Sequence, residues 1–345
     1  MITRTLLRPF ALACLALAIL AAGDAEGRAT VQASGNRVFE KVVVLSEDVT
    51  GIVVEIRQGT GTAQLPFRRG EYTITYDPPQ GPGAPEWYGA VTRQETGKPD
   101  AATWYERAGA GLREGYWAKE ALIRGATLFL AQKNPDQAIA LAGRIEANWP
   151  NSLRQVEARS LRGQALLQKN DIAGAKALYT DLMAKEREWG MPAALGGVRG
   201  LAAVARAEGK PGDTAASALN ILNRVPPRAD PVLWGPLALE TARDLIDGKK
   251  TDEAMALVRR AALAEIASGH QAQARLLWGQ LLAARGDGRS LIEAVDHFAI
   301  ARCLPGSAVA AEASAAGRAA ALKVADDSTL AQDLRNEYRA LSGKF

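Results

Sequence analysis

The chain has 345 residues, 48% of them hydrophobic and only 6% aromatic, with a formal net charge of +4. That apolar content supports one large core or two to three modest ones and excludes a disordered chain. Basic pairs such as Arg68-Arg69, Lys249-Lys250 and Arg259-Arg260 are scattered and never gather into a stripe, so the positive balance leaves no footprint for nucleic acid.

Arg4 and Arg8 precede an apolar run from Phe10 to Ala22, and small residues follow from Gly23 to Gly27. This order predicts a secretory signal over residues 1–25 and an exported protein, in the bacterial periplasm or outside the cell. Retention of the segment as an anchor is the alternative. The run falls short of the roughly 20 apolar residues that span a bilayer, and no later stretch approaches that length, so no stable membrane span is expected after signal removal. Cys14 lies inside the apolar run rather than after it, which argues against a lipid anchor. Cys303 is then the one cysteine of the mature chain, and no intramolecular disulfide can form.

Residues 30–37 are polar and read as a flexible lead-in. Three runs rich in Val, Ile, Thr and Tyr follow, at 38–45, 51–57 and 71–76, and predict a small β module over residues 30–77. Tyr72, Ile74 and Tyr76 alternate with Thr73 and Thr75, so one face should be buried. Gly59 to Thr62 reads as a hairpin turn, since no lysine follows at the spacing of a phosphate loop. Over about forty residues this strand pattern resembles the start of a small curved barrel of the Sm-like kind. The stretch PPQGPGAP, residues 78–85, breaks regular structure and reads as a linker.

From Glu86 onward the spacing is helical and alanine is abundant. Residues 86–93 and 101–112 predict a first, irregular hairpin carrying Trp87, Tyr88, Trp104 and Tyr105, with Asp100 as cap of its second helix. A period then appears. Ala138, Ala175, Ala215, Ala254 and Ala294 stand 37 to 40 residues apart. Four residues after each come Ala142, Tyr179, Leu219, Val258 and Phe298, and three further on Ile145, Leu182, Leu222, Ala261 and Ala301, which places each trio on one helix face. Small residues Ala126, Gly163, Ala203, Ala242 and Gly279 precede them, where two helices should cross closely. Polar turns such as Lys169-Asn170-Asp171 separate the paired helices and are expected to cap the second of each pair. Pro150 and Pro227 close two units, with Pro305 nearly matching. Residues 308–324 and 328–341 predict a closing helical pair capped at Asp327 or Ser328.

These residues resemble the tetratricopeptide repeat over roughly Glu86 to Pro305, most strongly in 119–152 and 156–189. The early tryptophan of that family is absent, Arg162 occupies a usually apolar place, and the units approach forty residues. The resemblance implies a mostly α fold: an α-α superhelix of helical hairpins, a solenoid over residues 86–345, preceded by the β module. It also implies a concave groove lined by first helices. Carried over, the polar groove positions are Glu120, Thr127, Glu157, Gln164, Gln168, Arg243, Asp247, Gln273 and Gln280. Gln164, Gln168, Arg243 and Gln280 are the candidate partner-binding residues.

Little else carries chemistry. His270, after Gly269, is expected to end a helix, and His297 to pack beside Phe298; neither has a second ligand at metal spacing. Cys303 reads as a buried thiol. Gly109, Gly111 and Gly115 read as a turn between helices, not a dinucleotide loop, because no strand precedes them. The expectation is a non-enzymatic scaffold without cofactor or metal, binding a protein or peptide of the cell envelope. The alternative is a peptidoglycan- or carbohydrate-associated factor using an exposed aromatic surface of Trp87, Tyr88, Trp104 and Trp117.

Overall fold

The computed structural model describes residues 26–33, 37–48, 51–58, 61–68, 71–229 and 231–345. The expected signal segment, residues 1–25, and Gly59-Thr60 of the expected turn lie outside the described residues. The rest is mostly helical, with a small antiparallel sheet in front and fifteen α-helices behind it among the described residues. The chain divides between Lys169 and Asn170 into two compact units, and the sheet belongs to the first.

The sheet has five strands, β1 (Gly27–Ala33), β2 (Arg37–Glu47), β3 (Gly51–Gln58), β4 (Gly61–Arg68) and β5 (Tyr72–Tyr76), in the order β4-β3-β2-β1-β5. Two strands correct the sequence reading. Thr30 to Ala33 are not a loose lead-in but half of β1, which pairs with β2 on one side and β5 on the other. Ala29, Val31 and Ala33 are buried while Arg28 and Gln32 are exposed, so β1 has a strand's two-residue period. Its alanines, weak strand formers alone, are held by two neighbours that satisfy the backbone groups on both edges. Gly61 and Thr62 likewise open β4 rather than complete a turn. Phe67 of β4 and Tyr72 of β5 approach to 6.3 Å although they stand on opposite edges, so the sheet curls toward itself. Pro66 sits on β4, at the edge, where a missing N–H costs no ladder bond.

The first unit continues with α1 (Ala84–Glu95), α2 (Ala101–Gly111), α3 (Gly115–Ala131), α4 (Pro135–Asn148) and α5 (Gln155–Gln168). The helix α1 already begins within the expected linker. Gly109 and Gly111 are the last turn of α2 rather than a loop, and a Cβ on Gly109 would stand 2.8 Å from Leu122 of α3. Asp100 does not cap α2. Its carboxylate meets Arg93 Nε at 3.0 Å instead, and this ion pair holds the residue's pKa below the usual range.

The second unit holds α6 (Ile172–Ala184), the single turn α7 (Glu186–Trp189), α8 (Met191–Ala207), α9 (Ala215–Arg224), α10 (Pro231–Asp247), α11 (Thr251–Leu263), α12 (Ser268–Arg285), α13 (Gly288–Cys303), α14 (Ala310–Asp326) and α15 (Gln332–Ser342). The aligned small positions Ala138, Ala175, Ala215, Ala254 and Ala294 are all buried, each 3% exposed or less. Tyr179, Val258 and Phe298 behind them are buried too, while Leu219 is only partly so. The repeat spacing does not anticipate a close approach of α8 to α6. Ala203 is half-buried, and the crossing with α6 is made at Gly197 and Gly200, where a Cβ would stand 2.6 Å from the Met183 backbone and overlap the Tyr179 ring.

One backbone device recurs through both units. Gly97, Lys133, Asn170, Gly209, Lys249 and Gly286 all have φ between 59° and 77°, each just after a helix. At four of these turns the next N–H reaches back to the same carbonyl: Lys98 to Arg93, Asn134 to Phe129, Lys210 to Ala205 and Lys250 to Leu245, at 2.7 to 2.8 Å. This left-handed cap satisfies carbonyls that the helix end leaves open. Asn134, Asp171 and Asp287 then accept from the third N–H onward and start the next helix. The turns at 209–213 and 248–252 lack such a side-chain cap, contrary to expectation. Asp327 also caps no helix; it bonds Thr329, and α15 starts at Gln332 without a side-chain cap.

Most helices pack chiefly on a neighbour in sequence, whereas α6 packs on α8 past the single turn α7. In addition α3 touches α5 in the first unit, and α8 touches α10, α10 touches α12 and α12 touches α14 in the second.

Candidate functional site

A hollow lies in the first unit, where the edge strand β5 meets α3. Glu47, Ile74, Thr75, Tyr76, Tyr116 and Trp117 line a cleft of about 280 Å³. The alternation of β5 turns Tyr76 toward α3 and leaves Thr75 exposed. Tyr76 stacks on Tyr116 with ring centroids 3.7 Å apart, and the Trp117 indole N–H donates to the Asp77 carbonyl at 2.7 Å. The Tyr76 hydroxyl donates to Glu47 at 2.8 Å. Burial pushes the Tyr76 phenol up, and the Glu47 carboxylate beside it adds to the shift. Burial also raises Tyr116. Both hydroxyls therefore stay protonated at neutral pH, which suits them to binding rather than to nucleophilic attack.

Charges flank the cleft. Lys119 Nζ meets the Glu26 carboxylate at 2.7 Å, and both residues are buried. Burial pushes the Glu26 carboxyl up while the Lys119 ammonium opposes the shift. Arg154 joins Glu120 and Glu157, each at 2.6 Å, with Arg124 on the other side of Glu120 at 2.8 Å. Burial works against the charge on Arg154, but Glu157 and Glu120 outweigh it and raise its pKa. Aromatic faces, a carboxylate and a guanidinium together can hold a planar or cationic side chain against ring faces, or a sugar ring over them.

The four groove candidates divide between the units. Gln164 is exposed on α5, whereas Gln168 of the same helix donates to the Leu130 carbonyl at 3.0 Å. Arg243 is exposed on α10, while Gln280 on α12 donates to Glu312 at 3.0 Å. Gln168 and Gln280, themselves exposed, thus each bond to a neighbouring helix. Glu120 and Glu157 are engaged by Arg154, and Thr127 bonds the Ile123 carbonyl. Arg162 meets Glu146 at 3.2 Å, which explains a charge at a usually apolar place.

The four rings expected to form an open surface do not. Trp87 is buried, edge-on to Tyr105 at 5.4 Å and to Trp117 at 4.9 Å. The Arg93 guanidinium lies 3.8 Å above Trp104, and Tyr88 is the exposed ring of the set. Trp104 and Trp117 pack, partly buried, against the core that holds Trp87 and Tyr105.

Three other expectations need correction or detail. Cys303 is exposed: it ends α13 two residues past buried Ala301, on the opposite side of the helix. His270 stands in the first turn of α12 rather than at a helix end, with Nδ1 buried and without a hydrogen-bond partner among the described residues. His297 is buried and stacks on Trp278 at 3.8 Å, with Arg275 3.2 Å from Nδ1. Burial lowers its pKa, and the Arg275 charge lowers it further. Among the described residues no three His, Cys, Asp or Glu side chains could hold a metal ion, and no helix is long and apolar enough to cross a membrane.

Sequence reasoning missed the cleft because its walls come from residues about forty apart. The alternation of Gly27 to Ala33 was the available signal for β1, and with β1 in place β5 becomes an edge beside α3. No family model matches the chain, and no curated protein matches it.

Proposed function

We propose that this chain is a non-enzymatic, exported scaffold of the tetratricopeptide-like kind, holding an extended segment of a protein partner in the cell envelope. The observation that carries the reading is the left-handed turn at Gly97, Lys133, Asn170, Gly209, Lys249 and Gly286, at intervals of 36 to 40 residues. Together with contacts between alternate helices, α8 to α10, α10 to α12 and α12 to α14, it supports stacked hairpins. Stacked hairpins expose long rows of side chains, and such rows bind extended segments of other proteins. All four candidate groove residues are exposed, and with Gln168 bonded to Leu130 and Gln280 to Glu312, Gln164 and Arg243 are the pair best placed for that task.

A second reading rests on the cleft. Tyr76, Tyr116, Trp117 and Glu47 offer ring faces and an acceptor, which suits a sugar of the peptidoglycan. One experiment separates the two: a photo-crosslinking residue placed in turn at Gln164, Arg243 and Thr75 in the exporting cell, with captured material identified by mass spectrometry. The scaffold reading expects one protein captured from Gln164 or Arg243. Glycan captured at Thr75, with nothing at the other two, overturns it in favour of the second.

A further inference from the structure

Glu47 ends β2 in the wall of the cleft, and only one of its carboxylate oxygens is engaged. Oε2 accepts from the Tyr76 hydroxyl at 2.8 Å. Among the described residues Oε1 takes no hydrogen bond, and no cation stands within 4.0 Å of either oxygen. The cations beside the cleft are committed elsewhere: Lys119 to Glu26 at 2.7 Å, and Arg154 to Glu120 and Glu157 at 2.6 Å each. Burial is the main cause of the raised pKa of Glu26, Tyr76 and Tyr116, and the Glu47 charge adds to all three. That charge has no counter-charge of its own.

A lone carboxylate turns an anion away. A sugar asks for donors as well as acceptors, and two donors of the cleft are spent, the Trp117 N–H on the Asp77 carbonyl and the Tyr76 O–H on Glu47. What remains is an open acceptor beside the rings of Tyr116 and Trp117, whose electron-rich faces attract a cation within about 6 Å. A guanidinium binds a carboxylate best through both oxygens at once, but Oε2 is taken; an ammonium is a compact point charge that needs only one. The volume of about 280 Å³ falls below the roughly 300–1,000 Å³ of clefts that enclose a whole small ligand, and suits one side chain.

We propose that the cleft receives a lysine side chain of a protein partner, its ammonium bonded to Glu47 Oε1 and its methylene stem lying against Tyr116 and Trp117. This goes beyond the stacked-helix reading and competes with the sugar reading of the same cleft. It holds or fails independently of Gln164 and Arg243.

The test follows the Trp117 indole N–H by NMR while the peptide acetyl-Ala-Lys-Ala-amide, whose one charge is the lysine, is titrated into the protein. A saturable shift is expected, with affinity lower by about tenfold or more for the same peptide carrying Nε-acetyl-lysine, and lower by about as much for Glu47→Gln. Glu40→Gln, which removes the same charge at an exposed place on β2, is expected to bind as the parent does. Glutamine at 47 keeps an acceptor for Tyr76; as a second variant, Thr75→Lys plants an ammonium at the cleft and should abolish the shift. Equal affinity for the two peptides, or parent affinity in Glu47→Gln or Thr75→Lys, overturns the proposal. A shift with the disaccharide of N-acetylglucosamine and N-acetylmuramic acid, and none with the lysine peptide, overturns it in favour of the sugar. No shift with either probe overturns it as well, and leaves the groove to be judged at Gln164 and Arg243.

Discussion

Lys119 buries both a four-carbon stem and a full charge, and Glu26 at 2.7 Å makes that tolerable. Removing one partner leaves the other charge buried alone, which costs more than the pair contributes. Lys119→Met should therefore lose about 3–5 kcal/mol in urea unfolding, while Lys119→Met combined with Glu26→Gln should recover most of it. His297 poses the opposite problem, because the folded protein holds it neutral against Trp278 and Arg275. Its folded pKa lies below the ordinary value of about 6.5. Above that value neither folded nor unfolded chain is protonated there, and the full stability is present. As the pH falls below about 6.5 the unfolded chain takes up a proton that the folded chain refuses, so stability is lost until the folded pKa is passed. Melting midpoints between pH 7.5 and 5 should fall less steeply for His297→Gln than for the parent. Equal slopes would show that burial of the ring does not govern this window.

At the scale of the element, the left-handed turn repeats while the residue that makes it does not. Gly97, Gly209 and Gly286 adopt it without strain, but Lys133 and Lys249 carry a Cβ into a region that costs an L-residue about 1–2 kcal/mol. Glycine there would relieve the contact and give back part of the gain as unfolded-chain entropy. Lys249→Gly is expected to raise stability by about 0.5–1 kcal/mol in urea unfolding; a loss would mean that the lysine stem packs usefully. The helices were legible because trios such as Ala254, Val258 and Ala261 repeat at four and three, a spacing that local geometry dictates. Caps were less legible. An aspartate beside a helix has several uses, and Asp100 is drawn to Arg93, Asp327 to Thr329. β1 was missed because Ala29 and Ala33 have little strand preference of their own, and only pairing with β2 and β5 makes them extended.

Across the whole molecule, contacts run mainly between neighbours in sequence, so damage should stay local. The end of the second unit offers the test. Phe345 covers Gly317 of α14, and Arg302 donates to the Lys344 carbonyl at 2.9 Å. Deleting Lys344 and Phe345 should lower hydrogen-exchange protection in α14 and α15 and leave α8 and α10 protected as before. Uniform loss across the unit would point to a single cooperative core instead. The sequence by itself determined the helical class, the positions of the paired helices and the buried alanine face, because these follow from a period of a few residues and from the turn chemistry between helices. Only the tertiary structure decided where α8 crosses α6, which glutamines bond to a neighbouring helix, and that Tyr76, Tyr116 and Trp117 share one cleft. Those facts depend on side chains far apart in the chain, and a one-residue shift in how two helices meet changes which of them touch.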